Sequence, residues 1–234
     1  MKRRFIMLLI SVFGFTSAFG AEEKTLNIKE QEVVRISAFT ASGDLENLKI
    51  SLNDGLDAGL TVNEIKEILV HTYAYCGFPR SLNGIGVFMN VLSEREAKGI
   101  KDEVGRDITP IPRDRNSIEF GTEVQTKLAG SPVQGGMYDF APAVDDFLKG
   151  HLFGDLFGRD ILDFQTREIV TIAVLGNMSG VNPQLAAHFN LGMNAGLTKE
   201  QIEGIIDVLD KKVEKEQGKN ARKIFEEVIK NRNN

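Results

Sequence analysis

The tetrapeptide Ala58-Gly59-Leu60-Thr61 returns as Ala195-Gly196-Leu197-Thr198, and the register holds on both sides of it. At the same offset Leu48 lies over Leu185, Asn53 over Asn190, Gly55 over Gly192, Ile65 over Ile202 and Leu69 over Ile206. With a one-residue slip, Glu32-Val33-Val34 lies over Glu168-Ile169-Val170. A single four-residue identity could arise by chance, but a shared apolar register around it marks an internal duplication. The repeated unit reads helix–helix–turn–helix. Its turn has a physical cause: a glycine closes one helix, and a threonine two residues later caps the next. A unit that cannot bury its own apolar face must stack on its twin or on another chain. The duplication therefore restricts the fold to a pseudo-symmetric arrangement.

The local pattern is helical throughout. Ile65, Ile68, Leu69, Thr72 and Cys76 line one stripe at the 3.6-residue period, and Leu185, Phe189 and Gly192 begin another. No stretch after residue 21 alternates long enough to form a strand. Thr61 with Glu64, Ser93 with Glu96 and Thr198 with Gln201 have capping-box spacing. Gly77 and Pro79 stop one helix and start another. The expected helices are 29–42, 45–57, 62–76, 80–92, 94–104, 117–129, 141–152, 164–177, 183–195, 199–216 and 220–232.

Two stretches break the period. Gly105 to Ser117 carries Pro110, Pro112 and five charged residues, and reads as an exposed connection. Gly130 to Pro142 is rich in Gly and Pro and holds Met137, Tyr138 and Phe140. It reads either as an ordinary loop with buried aromatics or as one that packs over a site. The expected division is a leader over 1–20, a first repeat over 21–104, a linker over 105–140 and a second repeat over 141–234.

Residues 1–20 differ from the rest in composition. Lys2-Arg3-Arg4 precedes an apolar run from Phe5 to Phe15, and Ala18-Phe19-Gly20 supplies small residues before Ala21. This is the pattern of a cleavable export signal, cut near Gly20-Ala21, and implies a secreted or periplasmic protein with no stable membrane insertion after cleavage. A spanning helix needs about twenty apolar residues, which the run does not reach. The whole chain has 28 Lys and Arg against 33 Asp and Glu. Without Lys2, Arg3 and Arg4 the balance is 25 against 33, or −8. A surface this acidic is unsuited to a phosphate backbone, which argues against a nucleic-acid partner. Cys76 is the single cysteine, so an internal disulfide is excluded. The three histidines have no HxxxH or HExxH spacing, and no metal site is expected. Neither a phosphate-cradling loop nor a Gly-x-Ser-x-Gly elbow is present.

The run Ser51-Leu52-Asn53-Asp54-Gly55-Leu56-Asp57-Ala58-Gly59-Leu60-Thr61, then Glu64 to His71, then Tyr75-Cys76-Gly77-Phe78-Pro79, resembles the carboxymuconolactone decarboxylase family. Phe157 to Ile206 resembles the same family's Arg-Glu-led apolar helix, His-bearing helix and Gly-Leu-Thr turn. The resemblance implies an all-α bundle of the alkyl hydroperoxidase D-like kind, assembled as trimers or hexamers. It also implies one of two chemistries. One branch decarboxylates a lactone acid without a cofactor. The other moves disulfides and removes peroxides through a Cys-x-x-Cys pair helped by Glu and His. If the helper histidine corresponds to His188, the cysteines should fall near Val181 and Gln184, and neither is cysteine. Disulfide exchange needs two sulfurs within reach, so the redox branch is disfavoured.

An acid–base site remains. Loss of carbon dioxide leaves electron density that must be delocalised and protonated, which calls for a placed proton donor and a cation for the carboxylate. His188 is the candidate donor, Glu168 its orienting partner, and Arg167 a bidentate grip for the substrate carboxylate. The family places a functional Glu and His at about this separation. His71 and Tyr75 are candidate substrate contacts, and Cys76 is the candidate nucleophile of the thiol-dependent alternative. Each has a plainer reading. Glu168 near a helix start complements the helix dipole, His188 and His71 can be hydrogen-bonded core residues, Arg167 can be a surface ion-pair residue, and Cys76 a small buried apolar one. His151, among Leu152, Phe153 and Phe157, reads as structural. The expected activity is cofactor-free, lyase-type chemistry on a small organic acid or lactone. Its alternatives are a thiol-dependent peroxidase and a non-catalytic oligomeric binding protein. Export sets the chain apart from the family's namesake reaction, which belongs to cytoplasmic metabolism.

Overall fold

The computed structural model describes residues 25–112 and 114–232. The expected export signal lies outside them. Every regular element among the described residues is helical. The first repeat comprises α1 (Ile28–Ser42), α2 (Leu45–Asp57) and α3 (Val62–Ala97). After the connection come α4 (Ser117–Ala129), the short α5 (Met137–Phe140) and α6 (Pro142–Asp146), which runs directly into a π-helix (Phe147–Leu156). The second repeat comprises α7 (Phe164–Gly176), α8 (Asn182–Ala195) and α9 (Lys199–Val208), which passes through a π-helical turn (Leu209–Val213). The chain closes with α10 (Lys215–Arg232). No helix among the described residues is long and apolar enough to cross a membrane.

The duplication appears as matched packing. A Cβ on Gly55 would stand 3.0 Å from Leu60, 3.1 Å from Ile36 and 3.7 Å from Glu32. A Cβ on Gly192 would stand 3.1 Å from Leu197, 3.1 Å from Ile172 and 3.6 Å from Glu168. These are the same three partners, one repeat later. The Asn53 amide bonds the Lys49 carbonyl at 2.9 Å, and its counterpart Asn190 bonds Ala186 at 3.0 Å. Thr61 and Thr198 both form complete capping boxes, with Glu64 and Gln201. The leading helices α1 and α7 pack on each other at the centre, and each cross-packs on the third helix of the other repeat. One apolar core spans both halves, from Val33, Ile36 and Leu52 through Ile68 to Ile172, Phe189 and Ile206. The twin thus closes the face that each unit leaves open.

Several boundaries differ from expectation: the helix expected over 141–152 runs on as a π-helix to Leu156, the one over 199–216 ends at Val208 before a π-helical turn, and the one over 220–232 starts at Lys215. The helices predicted over 62–76, 80–92 and 94–104 form one kinked element ending at Ala97. Gly77 makes the kink at φ 81°, a conformation that suits glycine alone among ordinary residues. Ser93 lies inside the helix and caps nothing. Beyond Ala97 the chain leaves the helix through Gly99, and the carbonyls of Glu103 and Val104 accept from the Val62 and Asn63 amides at 2.9 Å. They satisfy donors that the start of α3 leaves unpaired.

The segment between the repeats is more than a tether. Gly121 of α4 lies so close to the π-helix that a Cβ there would strike the Lys149 carbonyl, and Gly154 meets the Ser117 carbonyl likewise. Val124, Leu128, Leu152, Phe153, Leu156 and Phe157 form a second apolar cluster against Val70, Tyr73 and Tyr75 of α3. Met137 and Phe140 stay exposed, the latter at 91 %. The reading of an ordinary loop with buried aromatics fails for those two side chains.

Candidate active site

Four elements converge on one interior cluster: α3 brings Glu67, His71 and Tyr75, α7 brings Arg167, Glu168 and Thr171, α8 brings His188, and the end of the π-helix presents Phe157. Glu67, His71 and Tyr75 are spaced one turn apart and share a face of α3. Arg167 and Glu168 stand near the start of α7, capped by the Asp163 side chain, which accepts from the Thr166 amide at 2.8 Å.

Glu168 and His188 meet. The Glu168 Oε2 lies 2.8 Å from His188 Nδ1, with the carboxylate fully buried and the imidazole nearly so. A carboxylate can only accept, so Nδ1 carries the hydrogen and Nε2 is the nitrogen left for proton transfer. The Tyr75 ring stands edge-on to His188, centroids 5.4 Å apart at 86°. Two buried polar atoms of this group have no hydrogen-bond partner: the Tyr75 hydroxyl and Glu168 Oε1. Burial, with the Glu168 charge adding to it, pushes the Tyr75 phenol well up, so the hydroxyl keeps its proton.

Beside this pair lies an ionic knot. Arg159 donates to both Glu67 carboxylate oxygens at 2.8–3.0 Å, and Arg167 donates to Glu67 Oε1 at 2.8 Å. Burial alone would raise the Glu67 pKa, but hydrogen bonds from Arg159 and Arg167, with their charges, hold it lowered. Arg167 also donates to the Arg159 carbonyl at 2.7 Å and to His71 Nδ1 at 3.1 Å. His71 therefore carries its hydrogen on Nε2, 3.0 Å from Thr171 Oγ1, and Thr171 in turn donates to the Arg167 carbonyl at 2.9 Å. Burial, with Arg167 and then His188 adding to it, drives the His71 pKa well below 6.5. This ring is neutral.

These contacts revise two expected roles. Arg167 is wholly buried, and the donors that would grip a carboxylate in bidentate fashion already serve Glu67, Arg159 and His71. Only its Nε is unpartnered. His71 has both nitrogens bonded within the protein, so it braces Arg167 and Thr171 instead of facing substrate. Tyr75 keeps an open hydroxyl and remains placed to touch one. Cys76 is half-buried, its thiol 3.2 Å from the Thr72 carbonyl, and burial pushes its pKa up. A reactive thiol needs the opposite shift.

Sequence reasoning left out Glu67, Arg159, Thr171 and Phe157. A carboxylate within the apolar stripe of α3, one turn before His71, was the available signal for Glu67. Arg159 lies in a loop and gave none. The first repeat has no such pair at the matching positions. Glu32 matches Glu168, but Ser51 stands where His188 would be, and Arg35 holds Glu32 at 2.7 Å and Asp54 at 2.8 Å.

Residues 12–88 and 142–227, together well over half the chain, match the carboxymuconolactone decarboxylase family. The chain belongs to that family. A 4-carboxymuconolactone decarboxylase from Acinetobacter baylyi is 29 % identical over 97 residues, which cover 40 % of this chain and 72 % of that protein.

Proposed function

We propose that the chain carries out cofactor-free acid–base chemistry of the lyase type on a small organic acid or lactone, at the Glu168–His188 pair. The observation that carries this reading is the 2.8 Å contact between two buried side chains, with Tyr75 and Glu168 still holding open polar atoms beside them. Glu168 fixes the His188 ring and stabilises the imidazolium when Nε2 bears a proton. His188 gives that proton to the carbon left electron-rich by loss of carbon dioxide, and the Tyr75 hydroxyl donates to an oxygen of the substrate. The likeness to a 4-carboxymuconolactone decarboxylase supports the decarboxylation class, while the export signal favours a substrate other than the one that enzyme is named for.

Export and assembly into trimers or hexamers belong to the same proposal. Leu82 and Met89, exposed along the outer stripe of α3, supply apolar surface for assembly.

The test is purification of the chain without residues 1–20, mass spectrometry of any co-purifying acid, and carbon dioxide release on that acid and on 4-carboxymuconolactone. His188→Ala should abolish release. Retention and turnover unchanged in His188→Ala would remove this pair from the function, and a ligand bound without turnover would favour the non-catalytic reading.

A further inference from the structure

His151 was expected to be structural, yet its side chain is half exposed and belongs to a polar relay. Its Nδ1 lies 3.1 Å from Asp155 Oδ2, and its Nε2 meets the Tyr73 hydroxyl. Asp155 is anchored in turn by the Ser117 hydroxyl at 2.9 Å. Both His151 and Asp155 stand on the π-helix, four residues apart and on one face. Such segments are rare and recur at functional sites. Tyr73 comes from α3, on the opposite wall.

The relay borders a groove of about 370 Å³, lined by Tyr73, Gly77, Phe78, Phe147, His151 and Leu152 among others. That volume falls within the range of small-molecule sites, which are mostly apolar with a few placed polar groups. None of its lining residues belongs to the Glu168–His188 cluster. Phe78 stacks on Tyr73, centroids 4.3 Å apart at 9°, and stays 61 % exposed; Phe147 across the groove is 70 % exposed. The kink at Gly77 carries Phe78 to the groove mouth.

We propose that this groove is a second binding site, for a flat, uncharged aromatic molecule bearing a hydroxyl group. Phe78 and Phe147 take the ring between them. The polar end follows from donor counting. Asp155 only accepts, so His151 Nδ1–H donates to it, and Nε2, when it carries no hydrogen, accepts the Tyr73 proton. The Tyr73 oxygen is left with lone pairs, which take a donor from the ligand. A hydroxyl supplies one. A carboxylate does not, and it would also approach the Asp155 charge.

The probe is 2-naphthol, followed through its own fluorescence on the full chain, with naphthalene and 2-naphthoate as controls. We expect 2-naphthol to saturate one site per chain, with both controls at least tenfold weaker. Tyr73→Phe should bring 2-naphthol to the naphthalene level, Phe147→Ala should weaken every probe, and His188→Ala should leave 2-naphthol binding unchanged. Tyr73 and His151 lie near the surface, so circular dichroism of Tyr73→Phe and His151→Leu should match the parent, and His151→Leu should also lower the hydroxyl preference. Equal binding of 2-naphthol and naphthalene overturns the proposal, as does a preference that survives Tyr73→Phe. So does loss of binding in His188→Ala, or self-association through Phe147 that excludes the probe.

Discussion

Tyr75, from the first repeat, stands perpendicular to the ring of His188, from the second, with centroids 5.4 Å apart. The candidate site is therefore a product of the duplication. One half keeps the Glu–His pair, and the other supplies the wall that shields it from water and the hydroxyl that faces it. In the first repeat the equivalent carboxylate, Glu32, is held by Arg35 at 2.7 Å, and Ser51 at the position matching His188 bonds the Asn47 carbonyl at 3.0 Å.

Tyr75→Phe separates fold from function. The hydroxyl is buried without a partner, so its removal should leave stability unchanged or raise it by up to about 1 kcal/mol. If the hydroxyl donates to substrate, turnover should fall roughly 10²-fold. Urea unfolding and carbon dioxide release on the same preparation check both. A fall in stability together with turnover would assign Tyr75 to packing alone.

Glu67→Gln should be among the most damaging single changes. It leaves Arg167, wholly buried, and Arg159 without their shared carboxylate. Removing one partner from a buried ion pair costs about 3–5 kcal/mol, because the remaining charge has lost its water as well. Arg159→Lys keeps a charge at the more exposed end and should cost less. Denaturant midpoints of the two variants rank them.

What could be read in advance divides by distance along the chain. The turn Gly59-Leu60-Thr61 and its copy revealed the duplication because the capping chemistry is local. Glu168 and His188 stand out through the family resemblance, which implies a functional Glu and His at about this separation; the helix period alone leaves both with plain structural readings. The Glu67–Arg159–Arg167 knot joins residues 92 and 100 positions apart, and no spacing rule connects them. The π-helix has no periodic signature of its own, so the pattern predicts an ordinary helix over 141–152 and leaves residues 153–156 outside it. His151 reads as structural from its apolar neighbours Leu152, Phe153 and Phe157, although Asp155 stands four residues on, where a helix pairs the two side chains.

Gly121→Ala tests whether the segment between the repeats is integral to the fold. Its Cβ would meet main chain of the π-helix, which cannot yield as a side chain tip can. The cost should reach about 1–3 kcal/mol, more than the helix propensity gained from alanine. Hydrogen exchange should show protection lost in α4 and the π-helix before α1 and α7. Uniform protection would mean that the close crossing relaxes without consequence.

His71 gives the protein an acid sensitivity distinct from that of its carboxylates. Its pKa lies well below 6.5 in the folded protein, because the ring is buried, Arg167 donates to Nδ1, and Thr171, Tyr75, Phe157 and His188 surround it without a carboxylate contact. In the unfolded chain the ring returns to about 6.5. Between those two values the unfolded state binds one more proton than the folded state, so stability rises with pH through the window and is lost as pH falls below about 6.5. The slope from this single group is at most about 1.4 kcal/mol per pH unit. Glu67, with its lowered pKa, adds a further loss only at more acidic pH, through the ordinary carboxylate range and below. Urea unfolding free energies measured from pH 7.5 to 5 should therefore decline already above the carboxylate range. His71→Asn, which removes the titrating ring, should flatten that part of the curve even if it lowers stability overall. An unchanged slope in His71→Asn would transfer the effect to His151 or His188.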